Sequence, residues 1–395
     1  MKLHIIGGFL GSGKTTAITN ASKLLMQQGK KVAVITNDQG KYLVDTSFVG
    51  SNDIPTAEVI NGCFCCNFNN LSYQIEMLEQ TIRPDCIFAE SVGSCTDLVA
   101  TVLKPLQLLK IELFDELSFS VFVDSRLLLC HLLENNLPFG KDISYIFAKQ
   151  IEEADLLVIN KIDLLPDEDL KILMELLKVQ YKRKILIFQN SLNSQNIENW
   201  LTSLETLPTR RRDSLDIDYQ IYGKGEADLA WLDEEINIHT EDQSAWERAI
   251  LFIELIVDEI KRLQLGIGHL KFLLKGGEIS QKISFTSITE ENWKNNLPTL
   301  KIRDIQIMVN SRIETSPAMT LSIVKKGVEA IKGQGVFISE SHEQSFQPGF
   351  PNPTHRITRS LPCCDDCRCI KNLNSSQIEA CLCEDAIDGN CCCSI

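Results

Sequence analysis

Positive charge is scarce in this chain. Its 39 lysines and arginines are outnumbered by 53 aspartates and glutamates, a formal charge of −14 at pH 7. That balance argues against nucleic acid as the main partner, because phosphate backbones recruit basic surfaces. Long apolar runs are missing too, and none approaches the roughly 20 residues of a membrane span. An export signal is a third absence. The opening MKLHIIGGFLG has one early lysine and a short apolar stretch, but runs straight into a glycine-rich loop and a helix-like segment. The expected compartment is the cytoplasm, with neither membrane nor nucleic acid as a partner.

Cysteine is abundant instead. Of 15 cysteines, six occur by residue 130 and nine lie between Cys363 and Cys393. Thiols so clustered in a chain without an export signal suggest a soft metal rather than disulfides. A hydrophobic content of 44% and a charged content of 23% are ordinary for a globular protein, and 395 residues suffice for two or three domains with their own cores.

Up to about residue 206, short apolar strands alternate with amphipathic helices. The strands are expected at Leu3–Ile6, Val32–Thr36, Cys86–Ala89, Phe119–Val123, Leu156–Ile159 and Lys184–Phe188, with helices such as Thr15–Met26 and Asp169–Val179. This alternation predicts an α/β domain over residues 1–207, with a mostly parallel sheet covered by helices on both faces. A charged linker follows at 208–218. A small α+β domain is expected over 219–333, with strands at Ala227–Thr240, His269–Leu274, Ile283–Thr286 and Ile305–Ile313. Its helices are expected around Trp246–Leu263 and at Ala318–Ile331. A proline-bearing linker, 334–362, then leads to a polar cysteine-rich tail, 363–395, which lacks the apolar residues to build a core without a ligand.

Gly8-Phe-Leu-Gly-Ser-Gly13-Lys14-Thr15 has the P-loop pattern, after a strand and before a helix. Backbone N–H groups of Gly11, Ser12, Gly13 and Thr16 would surround phosphate oxygens at the helix N-terminus. Lys14 would reach the β- and γ-phosphates, and the Thr15 hydroxyl would ligate Mg²⁺. Asn160-Lys161-Ile162-Asp163, after a buried strand, has the NKxD form that selects guanine, because one carboxylate can accept from the N1–H and the exocyclic amine together. Glu90, at a strand end, would hold a Mg²⁺-bound water, and Gly93 would offer its N–H to the γ-phosphate. Asn37-Asp38-Gln39-Gly40 is the candidate first switch, with Asp38 near Mg²⁺ or water. Lys14 and Glu90 are thus the candidate catalytic groups. No arginine or glutamine stands out to polarise the attacking water, which predicts slow basal hydrolysis raised by metal, dimerisation or a partner.

Cys63, Cys65 and Cys66 in NGCFCC supply three thiolates where zinc prefers four ligands. An incomplete set suits transient binding. Zn²⁺ is the default, with Co²⁺, Ni²⁺ and Cu⁺ open. Cys95, just past Gly93, reads either as an extra ligand or, in the simpler reading, as a loop thiol. In the tail, Cys363, Cys364, Cys367 and Cys369 form CCxxCxC, suited to Zn²⁺, Cu⁺ or an iron–sulfur centre. His269, His342 and His355 are isolated, with His355 the nearest to the tail.

GGFLGSGKTT, NGCFCC, Glu90-Ser-Val-Gly93 and NKID, in that order, resemble the CobW-type metallochaperone GTPases, relatives of the HypB and UreG nickel-insertion GTPases. The resemblance covers roughly the first 200 residues. It implies a P-loop G domain followed by a smaller domain, Mg-GTP at Lys14, Thr15, Asn160 and Asp163, and a Zn²⁺, Co²⁺ or related ion at the CxCC cysteines. It further implies hydrolysis coupled to metal delivery. Two departures stand out: Asp38 where the family has glutamate, and Ser94-Cys95-Thr96-Asp97 where Thr-Gly followed by small apolar residues and proline would be expected.

The reading is a GTP-hydrolysing metallochaperone that delivers a thiophilic metal, or a metal cofactor, to a client metalloenzyme or cofactor-assembly protein, with room for a nucleotide-dependent homodimer. Two alternatives stand beside it. One is a zinc-buffering protein with incidental GTPase activity. The other is an iron–sulfur or redox protein whose G domain reactivates a client enzyme.

Overall fold

A computed structural model describes residues 1–37, 49–50, 52–60, 62–135, 137–207, 212–288, 293–295 and 297–359. The first domain is built on strands β1 (Lys2–Gly8), β2 (Val32–Asn37), β3 (Thr56–Val59), β4 (Cys86–Glu90), β5 (Glu116–Asp124), β6 (Leu156–Asn160) and β7 (Ile185–Gln189). They form a seven-stranded sheet in the order β3-β2-β4-β1-β5-β6-β7, and every pairing is parallel. Strands β2, β4 and β6 are buried along their whole length, as unbroken apolar runs in a sheet covered on both faces should be.

Helices α1 (Lys14–Gln27), α2 (Phe68–Thr81), α3 (Lys104–Leu109), α4 (Ser125–Leu132), α5 (Lys141–Glu153), α6 (Asp167–Gln180) and α7 (Ser194–Glu205) supply that cover. On one face, Ile18 and Ala21 of α1 and Ile197 and Trp200 of α7 pack on Val34, Phe88 and Phe122. The Trp200 ring lies edge-on to Phe122 at 5.1 Å. On the other face, Leu71 and Ile75 of α2, Leu128 of α4, Ile143 and Phe147 of α5 and Leu173 of α6 pack on Leu3, Ile5, Ile87 and Val121.

Beyond the charged linker, α8 (Tyr219–Asp228) leads into β8 (Leu229–Thr240), α9 (Ala245–Arg262), β9 (Ile267–Gly276), β10 (Ile279–Phe285), β11 (Asp304–Glu314), α10 (Pro317–Ile331) and β12 (Val336–Phe346). Five antiparallel strands form a sheet in the order β10-β9-β11-β8-β12. Strand β11 divides its residues by alternation. Ile305, Ile307 and Val309 enter the core formed with Phe252, Ile256, Val324 and Val328 of α9 and α10. Asn310 and Arg312 occupy alternate positions on β11 and are also buried, and the Arg312 guanidinium reaches Ser94 of the first domain.

The edge strand β3 was not among the expected strands, and beyond the charged linker two further stretches differ from the sequence expectation. The run read as the linker 334–362 contains β12, which adds an edge strand beside β8 with Val336 opposite Thr240. Its neighbours Val336–Phe346 are mostly exposed or half-buried, so they lack the apolar alternation that marks a strand. The region 219–228, at the start of the expected second domain, is a helix that packs on the first domain, with Gly225 close against Asp142 of α5.

Candidate functional site

The carboxyl ends of the central strands converge on one edge of the parallel sheet, where ligands of open α/β sheets bind. Ile6 of β1 is in register with Glu90 of β4, and Asp124 of β5 with Asn160 of β6. The phosphate loop follows β1. Gly8, Gly11 and Gly13 have φ of 123°, 70° and 91°, values that favour glycine. Space enforces glycine as well: a Cβ on Gly8 would lie 2.1 Å from the Phe122 carbonyl, and one on Gly13 would lie 2.4 Å from Asn160 Nδ2. Gly13 caps α1 in the left-handed conformation, so the free N–H groups at the start of that helix face the loop.

Lys14 is buried and its ammonium donates to the Gly8 carbonyl at 2.8 Å and the Phe9 carbonyl at 3.3 Å. Thr15 Oγ1 donates to Glu90 Oε1 at 3.0 Å. The buried Ser12 hydroxyl oxygen has no hydrogen-bond partner among the described residues. Left-handed glycines, an orphaned buried hydroxyl, a folded-back lysine and two hard oxygens in contact fit a phosphate chain with Mg²⁺. Thr16 lies in the first turn of α1, half-buried. Gly93 sits against the loop so closely that a Cβ would be 2.8 Å from the Leu10 side chain.

In the NKID turn, Asn160 is a structural bracket. Its Nδ2 donates to the Ser12 carbonyl at 2.8 Å, and its Oδ1 accepts from the Ser191 hydroxyl at 2.8 Å and the Ser191 N–H at 3.2 Å. Lys161, left-handed at φ 60°, donates to the Gly11 carbonyl at 2.6 Å and pairs with Asp124 at 3.1 Å. Arg126 also pairs with Asp124. Burial opposes the charge on Asp124, but these two cations hold its carboxyl below the usual range. Asp163 is exposed, in the short turn Ile162–Leu164, where a base edge could meet it. Asp124 and Ser191 were not read from the sequence. Their only signal is position, each at or just past the carboxyl end of a strand.

The three CxCC sulfurs come together. Cys63, Cys65 and Cys66 lie within 4.8 Å of one another, with Cys63 and Cys65 buried and Cys66 half-buried. The sulfurs of Cys65 and Cys66 are 3.8 Å apart, and those of Cys63 and Cys65 are 2.7 Å apart. The turn that holds them immediately precedes α2, whose N-terminus favours an anion. Hydrogen bonds from Cys65, Cys66 and Cys95 hold the Cys63 thiol well below its ordinary pKa, and the bond to Cys63 pushes Cys65 well above it. Three sulfurs gathered at one turn form a donor set suited to a soft cation, whose binding would release their protons.

The loop is tied to β2 by Asn37. Its Nδ2 donates to the Val59 and Gly62 carbonyls at 2.9 and 2.8 Å, and its Oδ1 accepts from the Phe64 N–H at 2.8 Å. A strap near the end of the described chain crosses the same loop: Thr354 donates to the Cys65 carbonyl at 2.8 Å and the Cys66 carbonyl at 3.0 Å. His355 does not join the sulfurs; its ring packs edge-on against Phe68 at 5.1 Å. Asp38, Cys363, Cys364, Cys367 and Cys369 lie outside the described residues.

Residues 2–188 match the family described as CobW/HypB/UreG, nucleotide-binding domain. This domain belongs to that family. As a CobW/HypB/UreG domain, it aligns with several curated relatives. A zinc chaperone CobW of Sinorhizobium is 28% identical over 206 residues, covering 46% of this chain and 56% of the relative. A zinc-regulated GTPase metalloprotein activator 1 of Schizosaccharomyces pombe is 31% identical over 196 residues, 46% of this chain and 44% of the relative. The zinc chaperone YeiR of Escherichia coli is 31% identical over 167 residues, 41% of this chain and 47% of the relative. The chain thus spans about half the length of the curated relatives it matches. Among the described residues, no helix is long and apolar enough to cross a membrane.

One buried carboxyl beside the site sets a pH dependence. Burial, reinforced by the nearby Asp97 charge, pushes Glu153 up to about 8, against the bonds it accepts from Val99 N–H and Thr96 Oγ1. Besides Asp97, the Lys184 ammonium also senses it. A carboxyl whose folded pKa is raised contributes stability at low pH and loses it as pH rises through the folded value. Thermal unfolding should therefore show Glu153→Gln more stable than wild type by on the order of 2–4 kcal/mol near pH 9, with the gap closing towards roughly pH 5. A gap independent of pH would refute the neutral Glu153.

Proposed function

We propose that this chain hydrolyses GTP and couples the hydrolysis to delivery of a thiophilic divalent metal to a client metalloprotein. Zn²⁺ is the favoured cargo, with Co²⁺ or Ni²⁺ as alternatives, and Cys63, Cys65 and Cys66 would carry it. The names of the curated relatives support a zinc cargo. Gly11, Ser12, Gly13, Thr16 and Lys14 would hold the phosphates, and Asn160, Lys161 and Asp163 the guanine end. Thr15 would ligate Mg²⁺, with Glu90 and Asp38 near its waters. The ion supplies charge neutralisation at the β- and γ-phosphates. Gly93 would present its N–H to the γ-phosphate.

The observation that carries this reading is the side chain of Asn37. It ends the strand that leads into the candidate first switch, and it holds the CxCC loop with three hydrogen bonds. Such a link lets nucleotide state bias metal affinity, and by reciprocity metal bias nucleotide affinity by the same factor. The Thr354 strap supports a role for the tail as metal donor or acceptor, because it tethers the segment preceding Cys363, Cys364, Cys367 and Cys369 to the metal loop.

The decisive experiment is anaerobic purification, measurement of bound metals, and GTP hydrolysis across a zinc titration for wild type and Cys65→Ser. Zinc should change the wild-type rate by at least about tenfold, within the usual range of allosteric coupling, and should leave the Cys65→Ser rate flat. Equal zinc responses in the two proteins would exclude a CxCC-coupled GTPase.

A further inference from the structure

The strap that crosses the cysteine turn is irregular chain, with neither helix nor strand after Phe346 among the described residues. Ordering such a segment costs conformational entropy at every residue, so its contacts must offset that cost. They are many. Phe350 and Pro351 press on α8, where a Cβ on Gly223 would lie 2.5 Å from the Phe350 ring and 3.1 Å from Pro351. Thr354 then holds the Cys65 and Cys66 carbonyls, and His355 packs on Phe68 at the start of α2. Ile357 N–H donates to the Ala100 carbonyl at 2.9 Å. The Ile357 carbonyl accepts from Ser214 Oγ at 2.8 Å, and the Arg359 carbonyl from Lys104 Nζ at 2.8 Å.

One anchor differs in kind from the rest. Arg356 Nε donates to Asp97 Oδ2 at 2.7 Å, and its guanidinium lies 5.0 Å from the centre of the Tyr219 ring. The two partners are unequally placed: the Asp97 side chain is 1% exposed and that of Arg356 is 32% exposed. Oδ2 of Asp97 also accepts from Tyr219 Oη at 2.8 Å, while its buried Oδ1 has no hydrogen-bond partner among the described residues. A desolvated carboxylate with so few donors strongly opposes the loss of one of them. The cation, by contrast, reaches it from the surface and returns to water when it leaves. The pair therefore has a fixed half in the first domain and a removable half on the strap.

The fixed half belongs to the segment that starts at Gly93. The Gln150 amide donates to both the Gly93 and Cys95 carbonyls, at 3.0 and 2.8 Å, and so ties the two residues into one unit. Ser94 donates to Glu226 of α8 at 2.7 Å and accepts from Arg312 of β11 at 3.1 Å. Asp97 ends this braced turn in a left-handed backbone at φ 63°, and its carbonyl accepts from Thr101 N–H at 3.0 Å. One short segment thus touches the phosphate loop at Gly93 and the strap at Asp97. Cys66, the half-buried member of the cysteine group, lies under the strap through its carbonyl bond to Thr354.

We propose that residues 350–359 form a latch over the cargo turn, closed by the Arg356–Asp97 pair, and that the latch must lift before the metal can pass to a client. The proposal rests on the reading of the CxCC cysteines as the cargo site. Transfer is ligand exchange: one client thiolate bonds to the metal as one CxCC thiolate leaves, and no oxidation state changes. The closed strap keeps the incoming thiolate from the turn. A shift of Gly93 with nucleotide state moves Asp97 and so changes how firmly the latch is held.

The test uses the full-length chain with the nine tail cysteines replaced by serine, loaded with one Zn²⁺ per chain and mixed with an excess of a chromophoric chelator. Arg356→Gln should release zinc about tenfold faster or more, the scale of losing one charge-assisted hydrogen bond. Zinc association should accelerate by the same factor, leaving the affinity within about threefold, because a latch acts on the free and the loaded turn alike. Arg356→Lys, which keeps the cation, should restore most of the slow release. An unchanged release rate in Arg356→Gln overturns the proposal. So does faster release matched by an equal loss of affinity, which would make Arg356 a brace of the site rather than its latch. A second measurement needs no variant to fold: in the parent, the Thr354 and Ile357 amides should exchange hydrogen faster than those of β1 and β4. Equal rates would mean that the strap opens only when the domain unfolds, and the latch would be refuted. Cys65→Ser separates the two levels of the argument. If it binds zinc as the parent does, the cargo site itself is wrong; if it loses zinc while Arg356→Gln releases as slowly as the parent, only the latch fails.

Discussion

Lys14→Ala is expected to lower the single-turnover rate of GTP hydrolysis by about 10³-fold or more, the scale set by removing a preorganised cation from a transferring phosphoryl group. Lys14 is buried, and its ammonium rests on the Gly8 and Phe9 carbonyls. Those carbonyls belong to the loop that would surround the phosphates, so the ammonium is already beside the place where negative charge must be met. A charge held there requires little reorganisation when the transition state forms. The variant loses two charge-assisted hydrogen bonds and gains a small void, so thermal stability should drop modestly while the first domain still folds around Trp200 and the strands β1, β4 and β5. The measurement is radiolabelled phosphate release at saturating enzyme, with binding of a fluorescent GTP analogue followed in parallel. A rate within tenfold of wild type would remove Lys14 from the phosphate site, whatever its motif suggests.

Much of the fold was legible because it obeys strong patterns. The expected strands at Leu3–Ile6, Val32–Thr36, Cys86–Ala89, Phe119–Val123, Leu156–Ile159 and Lys184–Phe188 all fall within observed strands, apart from Lys184, which lies one residue before β7. They are apolar runs of a sheet covered on both faces, where burial leaves little freedom of composition. The linker reading of 334–362 failed for the opposite reason. In β12, Glu340, His342 and Glu343 are exposed, and only Val336 and Ile338 of this edge strand pack against the core, too few apolar residues to mark a strand. The helix at Tyr219–Asp228 escaped notice because it contains Gly223 and Gly225. Both glycines are explained by close approach, to Phe350 and to Asp142, contacts that only the folded chain reveals.

The candidate site divides along the same line. The phosphate loop and NKID are contiguous strings whose spacing carries their geometry. Asp124, Ser191 and Gln150 act through contacts across 31 to 57 positions, and a single sequence holds no record of such pairs. Cys95 lies between these cases. It was visible as a departure after Gly93, but nothing in the string showed that its carbonyl and that of Gly93 share the Gln150 amide.

Asn37 is the residue whose replacement should separate the two halves of the proposed machine. Its amide makes three hydrogen bonds to the chain that bears the cysteines, all at 2.8–2.9 Å. Asn37→Ala leaves two carbonyls and one N–H in a buried setting without those partners, at about 1–3 kcal/mol each. Asn37→Asp is the sharper probe. It keeps an acceptor for Phe64 N–H but sets a carboxylate oxygen against the Val59 and Gly62 carbonyls, so repulsion replaces two bonds at nearly constant volume. Both variants should therefore loosen the CxCC turn, with aspartate at least as damaging as alanine. Zinc affinity should fall by about tenfold or more, and the dependence of that affinity on GTP versus GDP should shrink towards one, because the coupling free energy of typically 1–3 kcal/mol needs a rigid connection. Competition with a chromophoric zinc chelator, in each nucleotide state, measures both quantities at once. If Asn37→Asp keeps the wild-type ratio while losing stability, Asn37 merely braces the loop. The coupling would then have to run through the Glu90–Cys95 segment alone, where Gln150 already binds Gly93 to Cys95.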